Sequence, residues 1–328
     1  MTDDEALALA QEAIGHWDGC RDPRLISHRE NAVFAVALSG TRQGVLRIHR
    51  RGYQSEDAIW SELWWLDALA GAGLGVPRPE RTDDGAFLAL CADGRAASVL
   101  TWVEGARLGA SGTPLDGAPE EQMRHYASVG RAVGQLHVAA DRLALPACFR
   151  RPHWDIDGLL GTAPLWGRFW DHPAASEAEA LLMQEARRYA RERLSDYAAG
   201  GADWGLIHAD LLRENILFDG RHAHLIDFDD SGFGFRLYDL GTALSQNLEE
   251  PALNEIATGL VEGYATQRPL TDDDLSMLPV FVMLRTLASV GWTMPRLAAD
   301  DPRNRAYLNR AVRTAHAVLE GQTLFRIG

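Results

Sequence analysis

Hydrophobic positions in the first hundred residues follow two different periods. Residues 33–38 and 44–48 are apolar or alternate with polar positions, and the turn at 39–43 between them is polar, which predicts a β-hairpin. Residues 55–70 change to a helical period, with Ile59, Leu63, Leu66 and Leu69 recurring at three- or four-residue steps. Ser55 followed by Asp57 supplies a start signal for that helix, and the Gly- and Pro-containing stretch 71–79 ends it. Two further strands are predicted over 86–91 and 97–103, after which Glu104 and Gly105 break the pattern, and residues 5–14 read as a short helix. The first hundred residues therefore form a small α+β unit with an antiparallel sheet and one main helix.

Beyond this point the helical period dominates, with helices predicted over 120–140, 175–197 and 275–290. The exception is a short hairpin: residues 216–218 and 224–227 flank an Asp219-Gly220 turn. The pattern places a boundary within 100–106 and divides the chain into residues 1–104 and 105–328.

Composition narrows the function. At 328 residues and 46% apolar content the chain has enough material for two lobes and a sizeable core. The formal net charge of −14 would repel a phosphate backbone, so no nucleic-acid partner is expected. The same excess of carboxylates suits a cationic substrate, and serves solubility equally well. The longest uninterrupted apolar stretch, 277–284, is far short of the roughly 20 residues a membrane span requires. The acidic start, Thr2 to Glu5, differs from a secretory signal, and a cytoplasmic protein with no membrane partner is expected, as a monomer or homodimer. Cys20, Cys91 and Cys148 have neither disulfide nor zinc spacing. His222 and His224 alternate on a strand without a partner cluster and read as ordinary surface or core histidines. The chain contains no lysine, so all 32 basic residues are arginine.

The segment that carries chemistry runs from Leu206 to Asn215 and contains His208, Asp210 and Asn215 in the spacing His-x-Asp-x-x-x-x-Asn; Ile226, Asp227 and Phe228 follow. Phosphoryl transfer asks little covalent help of a protein. It needs a base near the attacking hydroxyl and magnesium held against the phosphates. Magnesium takes hard oxygen ligands and usually only one or two carboxylates, which an Asn amide oxygen and one Asp satisfy. With a turn at Asp219-Gly220, Asn215 and Asp227 come to the same end of neighbouring strands roughly 5 Å apart and can share one ion.

This pattern closely resembles the aminoglycoside phosphotransferase and choline kinase family, itself similar to the eukaryotic-like protein kinases. The resemblance implies a two-lobed, protein-kinase-like α+β fold that binds ATP and Mg2+. It implies Asp210 as catalytic base, Asn215 and Asp227 as metal ligands, and His208 as a support for the loop. Asp239, in Leu-Tyr-Asp-Leu-Gly, matches an aspartate that braces the catalytic loop, and Ala209 stands where relatives often have Gly. In the N-terminal part the match is more diffuse. The polar turn through Ser27, Glu30 and Asn31 occupies the place where backbone N–H groups approach the phosphates, without a Gly-x-Gly-x-x-Gly. Arg47 stands where most relatives carry a phosphate-contacting lysine, and Glu62 matches its helix partner; a guanidinium can fork onto either phosphate or carboxylate. The strand through Thr101 and Val103 resembles the one that offers its backbone to the adenine edge.

The acceptor implied is a small-molecule hydroxyl: an amino alcohol, a homoserine-like compound or an aminoglycoside-like compound. Trp154, Trp166, Trp170 and Trp292 could wall an ammonium ion or simply pack the helices. Two alternatives stay open. A stress-type Ser/Thr protein kinase shares the loop, although only about ten residues separate Asp227 from Leu237, which favours a small acceptor. A nucleotide-binding regulator without turnover would need no base.

Overall fold

The computed structural model describes every residue of the chain except Arg29. Two compact units are formed: Met1–Gly105 with Leu143–Arg151 and His224–Asp229, and Ala106–Arg142 with Pro152–Ala223 and Asp230–Gly328.

The first unit contains α1 (Asp3–Ala13), β1 (Arg21–His28), β2 (Ala32–Ala37), β3 (Gln43–Ile48), α2 (Glu56–Gly71), β4 (Pro79–Glu80), β5 (Ala89–Leu90) and β6 (Ala96–Thr101). Its antiparallel sheet has the order β1-β2-β3-β6-β4, with β5 paired to β6. The expected hairpin is β2–β3, with Phe34 opposite Leu46 and the turn closed by Leu38 N–H donating to the Arg42 carbonyl. Phe34, Leu46, Ile48 and Val99 are buried with Ala6, Ala10 and Ala13 of α1. Small alanines on that helix face let α1 lie close to the sheet. α2 begins at Ser55, whose hydroxyl accepts from Ala58 N–H at 3.2 Å, a side-chain N-cap.

Two expectations about this unit are corrected, and one strand was not foreseen. The strand predicted over 86–91 is reduced to β5, because Thr82 accepts from Ala86 N–H and closes a turn through Gly85 first. The strand predicted over 97–103 ends at Thr101. β1 was not predicted; as an edge strand it is largely exposed, with Leu25 and Ile26 open to solvent, so the alternation that marks a half-buried strand is missing.

The second unit contains β7 (Ala106–Arg107), α3 (Pro119–Asp141), β8 (His153–Trp154), α4 (Ile156–Leu160), α5 (Glu177–Ala199), β9 (Trp204–Ile207) and β10 (Ile216–Phe218). After the turn at Asp219–His222 and β11 (Ala223–Leu225), where the chain passes into the first unit, come β12 (Gly232–Phe235), α6 (Leu237–Ser245), α7 (Leu253–Ala265), α8 (Asp272–Thr293) and α9 (Pro302–Leu319). α3 and α7 pack backbone to backbone. A Cβ on Gly130 would meet the Leu260 carbonyl at 2.0 Å, and one on Gly263 would meet the Ala127 carbonyl at 2.0 Å, so glycine alone permits the approach. That contact positions His137 on α3 beside Tyr264 on α7. α8 has the length and composition of a membrane span, yet 72% of its apolar window is buried within the protein.

Candidate active site

Each unit holds some of the residues that the sequence singles out. In the first, β3 and α2 bring Arg47 and Glu62 together: Arg47 Nη2 donates to Glu62 Oε1 at 2.7 Å, and both side chains are almost wholly buried. Burial works against the Arg47 charge, but the carboxylates of Glu62, Asp229 and Asp227 outweigh it and hold the guanidinium above its ordinary value. The Asp227–Asp229 segment belongs to the same unit. Phe228 is buried edge-on against Trp65 of α2, with ring centroids 5.4 Å apart. Asp227 takes a left-handed conformation, φ 64°, which Asp tolerates better than most residues. Asn31 accepts from Arg50 N–H at 2.9 Å and donates to Asp229 Oδ2 at 3.3 Å, so its side chain ties the β1–β2 turn to this segment. Arg29, in the same turn, lies outside the described residues. Thr101 accepts from Arg78 N–H at 2.9 Å through its hydroxyl, and Val103 is half-buried just beyond it. Gly105 then follows with φ 145°, a conformation that L side chains rarely adopt.

In the second unit the loop after β9 holds His208, Asp210 and Asn215. Asn215 Nδ2 donates to Asp210 Oδ2 at 2.8 Å and to the Asp210 carbonyl at 2.9 Å. The amide carbonyl of Asn215 is thereby turned away from the carboxylate as a hard oxygen donor. Burial raises the Asp210 carboxyl above its usual range, Arg285 at 2.6 Å offsets only part of this, and Glu214 adds to the rise. The loop backbone is held by Asp239 of α6, which accepts from His208 N–H at 2.8 Å and from Ala209 N–H at 2.7 Å. Asp239 also meets His137 Nε2 at 3.0 Å, while His137 Nδ1 accepts from the Tyr264 hydroxyl at 2.9 Å. Burial favours the protonated acid, and His137 and His208 overcome this to hold Asp239 below its usual range. His208 is fully buried, and its Nδ1 lies 3.3 Å from Asp210 N–H. Among the described residues no group of three His, Cys, Asp or Glu gathers as a metal cage.

Comparison with known proteins is decisive for the family: residues 23–277 match the phosphotransferase enzyme family, APH. The chain belongs to that family. Over 241 residues this phosphotransferase is 34% identical to the homoserine kinase of Rhizobium johnstonii, covering 72% of this chain and 68% of the relative. It is similar to the solved structure of a microcompartment-associated aminopropanol kinase, with 33% identity, a TM-score of 0.84 and coverage of 97% of this chain and 99% of that one. An amicoumacin kinase solved with AMP-PNP, Ca2+ and Ami shares the fold at 17% identity and a TM-score of 0.78, covering 100% of this chain and 96% of that one. The phosphotransferase therefore has the two-lobed, protein-kinase-like α+β fold, and it is a small-molecule kinase.

Three arginines of this phosphotransferase at the two half-sites were not anticipated. Arg151 donates to the carbonyls of Ala58, Phe228 and Asp229, and its Nη1 lies 3.9 Å from Glu62. Arg213, inside the catalytic loop, donates to Asn247, Glu250 and the Thr113 carbonyl. Arg285 reaches Asp210 from α8. Each works through partners distant in sequence, and a lysine-free chain gives no compositional cue to which of its arginines is buried.

The tryptophans of the second unit are largely occupied by the chain itself. Arg285 lies 4.4 Å from the Trp166 ring centroid, Arg187 4.1 Å from Trp170 and Arg296 4.6 Å from Trp292. Trp154 is buried, stacked on Tyr238, with its indole N–H on the Asp230 carbonyl. These rings pack the protein's own cations and core.

Proposed function

We propose that this phosphotransferase moves the γ-phosphoryl group of ATP to the hydroxyl of a small amino alcohol or hydroxy amino acid, with Asp210 as base. The observation that supports this most is the Asp210 carboxylate itself, gripped by Asn215 on one oxygen and Arg285 on the other. That carboxylate stands in the His-x-Asp-x-x-x-x-Asn pattern through which the sequence resembles the family. Asp210 takes the acceptor proton, the freed oxygen attacks the γ-phosphorus in line, and the bond to the departing ADP oxygen breaks.

Asn215 and Asp227 are the residues proposed to hold Mg2+. The Asn215 amide, with its nitrogen committed to Asp210, has its oxygen available for such an ion. When bound, the ion screens phosphate charge during transfer. Arg47, kept charged and paired with Glu62, is proposed to contact the α- and β-phosphates, with Asn31, Thr101 and Val103 contributing to the nucleotide side. On this reading residues 1–104 serve the nucleotide, residues 105–328 serve catalysis and the acceptor, and the protein works in the cytoplasm.

The acceptor class rests on relatives named for homoserine and aminopropanol, both of which carry an ammonium and a hydroxyl. Because Trp166, Trp170 and Trp292 already carry arginines, that ammonium is to be met by carboxylate oxygens rather than by those ring faces. The test is incubation with γ-labelled ATP and magnesium in the presence of homoserine, 1-aminopropan-2-ol, ethanolamine or an aminoglycoside, with Asp210→Asn as control. Label transferred to one of these by the wild type alone supports the reading. Label entering only added cellular protein would replace it with a protein kinase, and binding of ATP without transfer to any acceptor would replace it with a regulator.

A further inference from the structure

The Asp210 carboxylate is held from two elements. Asn215 of the catalytic loop occupies Oδ2 at 2.8 Å, and Arg285 of α8 donates from Nη2 to Oδ1 at 2.6 Å. Arg285 is 3% exposed, and its guanidinium lies 4.4 Å from the Trp166 ring centroid, so ring and helix together confine it. α8 is itself pressed onto α6: a Cβ on Gly241 would meet the Phe281 backbone at 2.7 Å, which fixes the helix one turn before Arg285. Glu214, Tyr238 and Asp230 supply the remaining electrostatic surroundings of the pair. Two guanidinium nitrogens, Nε and Nη1, make no hydrogen bond. A buried arginine retained solely for stability would be expected to satisfy more of its donors, because each unsatisfied one is costly. Its one short hydrogen bond is to the proposed base, with the Tyr238 hydroxyl beside it.

We propose that Arg285 is a positioning residue for phosphoryl transfer, fixing the Asp210 carboxylate in the orientation from which it accepts the acceptor's proton. An aspartate's terminal torsion is broad, so a single donor leaves the carboxylate free to swing. Donors on both oxygens remove that freedom while leaving a lone pair on each oxygen for the incoming proton. The chemical step is unchanged: the acceptor gives its proton to Asp210, an electron pair on the freed oxygen forms the bond to the γ-phosphorus, and the bond from that phosphorus to the bridging oxygen breaks with its pair leaving on ADP. Arg285 acts only through Asp210. The inference rests on Asp210 being the base.

The experiment compares wild type, Arg285→Gln, Arg285→Lys, Trp166→Phe and Asp210→Asn in the full chain with magnesium-ATP. The acceptor is homoserine or 1-aminopropan-2-ol, and water, read as ATP hydrolysis, where neither is turned over. For Arg285→Gln, kcat should fall about 10²-fold, the scale of a misplaced catalytic group, with KM for ATP and acceptor within about threefold. Arg285→Lys should recover about tenfold of that loss, since it keeps the charge and loses the planar guanidinium that packs on Trp166. Magnesium-ATP should still raise the melting temperature of both. An unchanged kcat overturns the inference, and a loss confined to acceptor KM reassigns Arg285 to acceptor binding. A variant that loses kcat only in proportion to folded protein makes the role structural. If Arg285→Gln does not fold, Trp166→Phe keeps the guanidinium and changes its packing; kcat should fall severalfold at full folding, and no fall overturns the inference. Asp210→Asn separates the two claims. If it keeps turnover, the base assignment fails; if it is inactive while Arg285→Gln is fully active, only the positioning role fails.

Discussion

Ala209 holds a left-handed backbone, φ 67°, while its N–H donates to Asp239 Oδ1 at 2.7 Å. The two features belong together, because the twist at Ala209 lets two successive N–H groups, those of His208 and Ala209, converge on one carboxylate. For an L residue this conformation costs about 1 kcal/mol, which explains why glycine would be welcome and why a methyl is still accepted. Ala209→Gly should therefore be close to neutral, since relief of strain is offset by about 0.4–1 kcal/mol of added freedom in the unfolded chain. Ala209→Val, β-branched and at a fully buried position, should lower the melting temperature by several degrees and reduce kcat. Thermal melts and steady-state rates of both variants check this; a stable, active valine variant would show that the loop does not need its twist.

Asp239 itself should be among the most sensitive positions. Asp239→Ala removes the acceptor of two backbone N–H groups and of His137, all buried, and leaves these donors unsatisfied at about 1–3 kcal/mol each before relaxation. Asp239→Asn keeps the shape and should cost less. In urea titrations the alanine variant should unfold at much lower denaturant than the asparagine variant; equal midpoints would mean that the carboxylate does not organise the loop.

The same cluster sets a pH dependence. Burial lowers the His137 imidazole to about 4, so in the folded protein it is neutral, while in the unfolded chain it titrates near 6.5. Below pH 6.5 the unfolded state takes up a proton that the folded state refuses, so stability present at neutral pH drains away as pH falls from 6.5 toward 4. The shift corresponds to on the order of 3 kcal/mol, and Asp239, held below its usual range, adds to the loss at still lower pH. Unfolding midpoints measured at pH 7 and pH 4.5 should differ accordingly, and His137→Gln should flatten the dependence. A pH-independent midpoint across this window would remove His137 as its source.

The sequence pattern revealed what depends on short separations and missed what depends on long ones. The β2–β3 hairpin, the start of α2 and the pairing of Arg47 with Glu62, 15 residues apart, were all legible locally or through family resemblance. α7 was not, because Gly259 and Gly263 lower its helix propensity, whereas in the fold they admit the backbone of α3. α9 was missed because much of its buried face is Asn304, Ala311, Thr314 and Ala315, small or polar residues that weaken an apolar period. Arg285 and Arg151 meet partners 75 and 78 residues away, and no local signal marks an arginine that will be buried.

Arg47 tests whether a lysine-free chain has kept the phosphate contact. Its pair with Glu62 is buried, so Arg47→Ala leaves that carboxylate with only Arg151, 3.9 Å away, and should both destabilise the protein and weaken ATP binding by about tenfold or more. Arg47→Lys retains a charge but only a single point of contact, and should fall between alanine and wild type. Glu62→Gln separates positioning from contact: it should weaken ATP binding less than Arg47→Ala while leaving the guanidinium charged. Calorimetric titration with magnesium-ATP decides among these, and unchanged affinity in Arg47→Ala would remove Arg47 from the nucleotide site.

Arg151 offers the sharpest test of the segment that carries Asp227. Its guanidinium spans Ala58 on α2 and the carbonyls of Phe228 and Asp229, so one side chain fastens the helix bearing Glu62 to the backbone immediately after Asp227. Phe228 against Trp65 supplies the apolar half of the same joint. Arg151→Met keeps much of the aliphatic volume and removes the donors, leaving three carbonyls without that partner at about 1–3 kcal/mol each before relaxation. Because the proposed metal ligand sits one residue before Phe228, the loss should appear first as a higher magnesium requirement for turnover, with ATP affinity in the absence of metal little changed. Asp227→Ala, by contrast, should abolish the metal-dependent part outright. Magnesium titrations of kcat for the two variants distinguish a ligand from the residue that holds its backbone, and an Arg151→Met enzyme with a wild-type magnesium profile would reduce Arg151 to a contributor to folding.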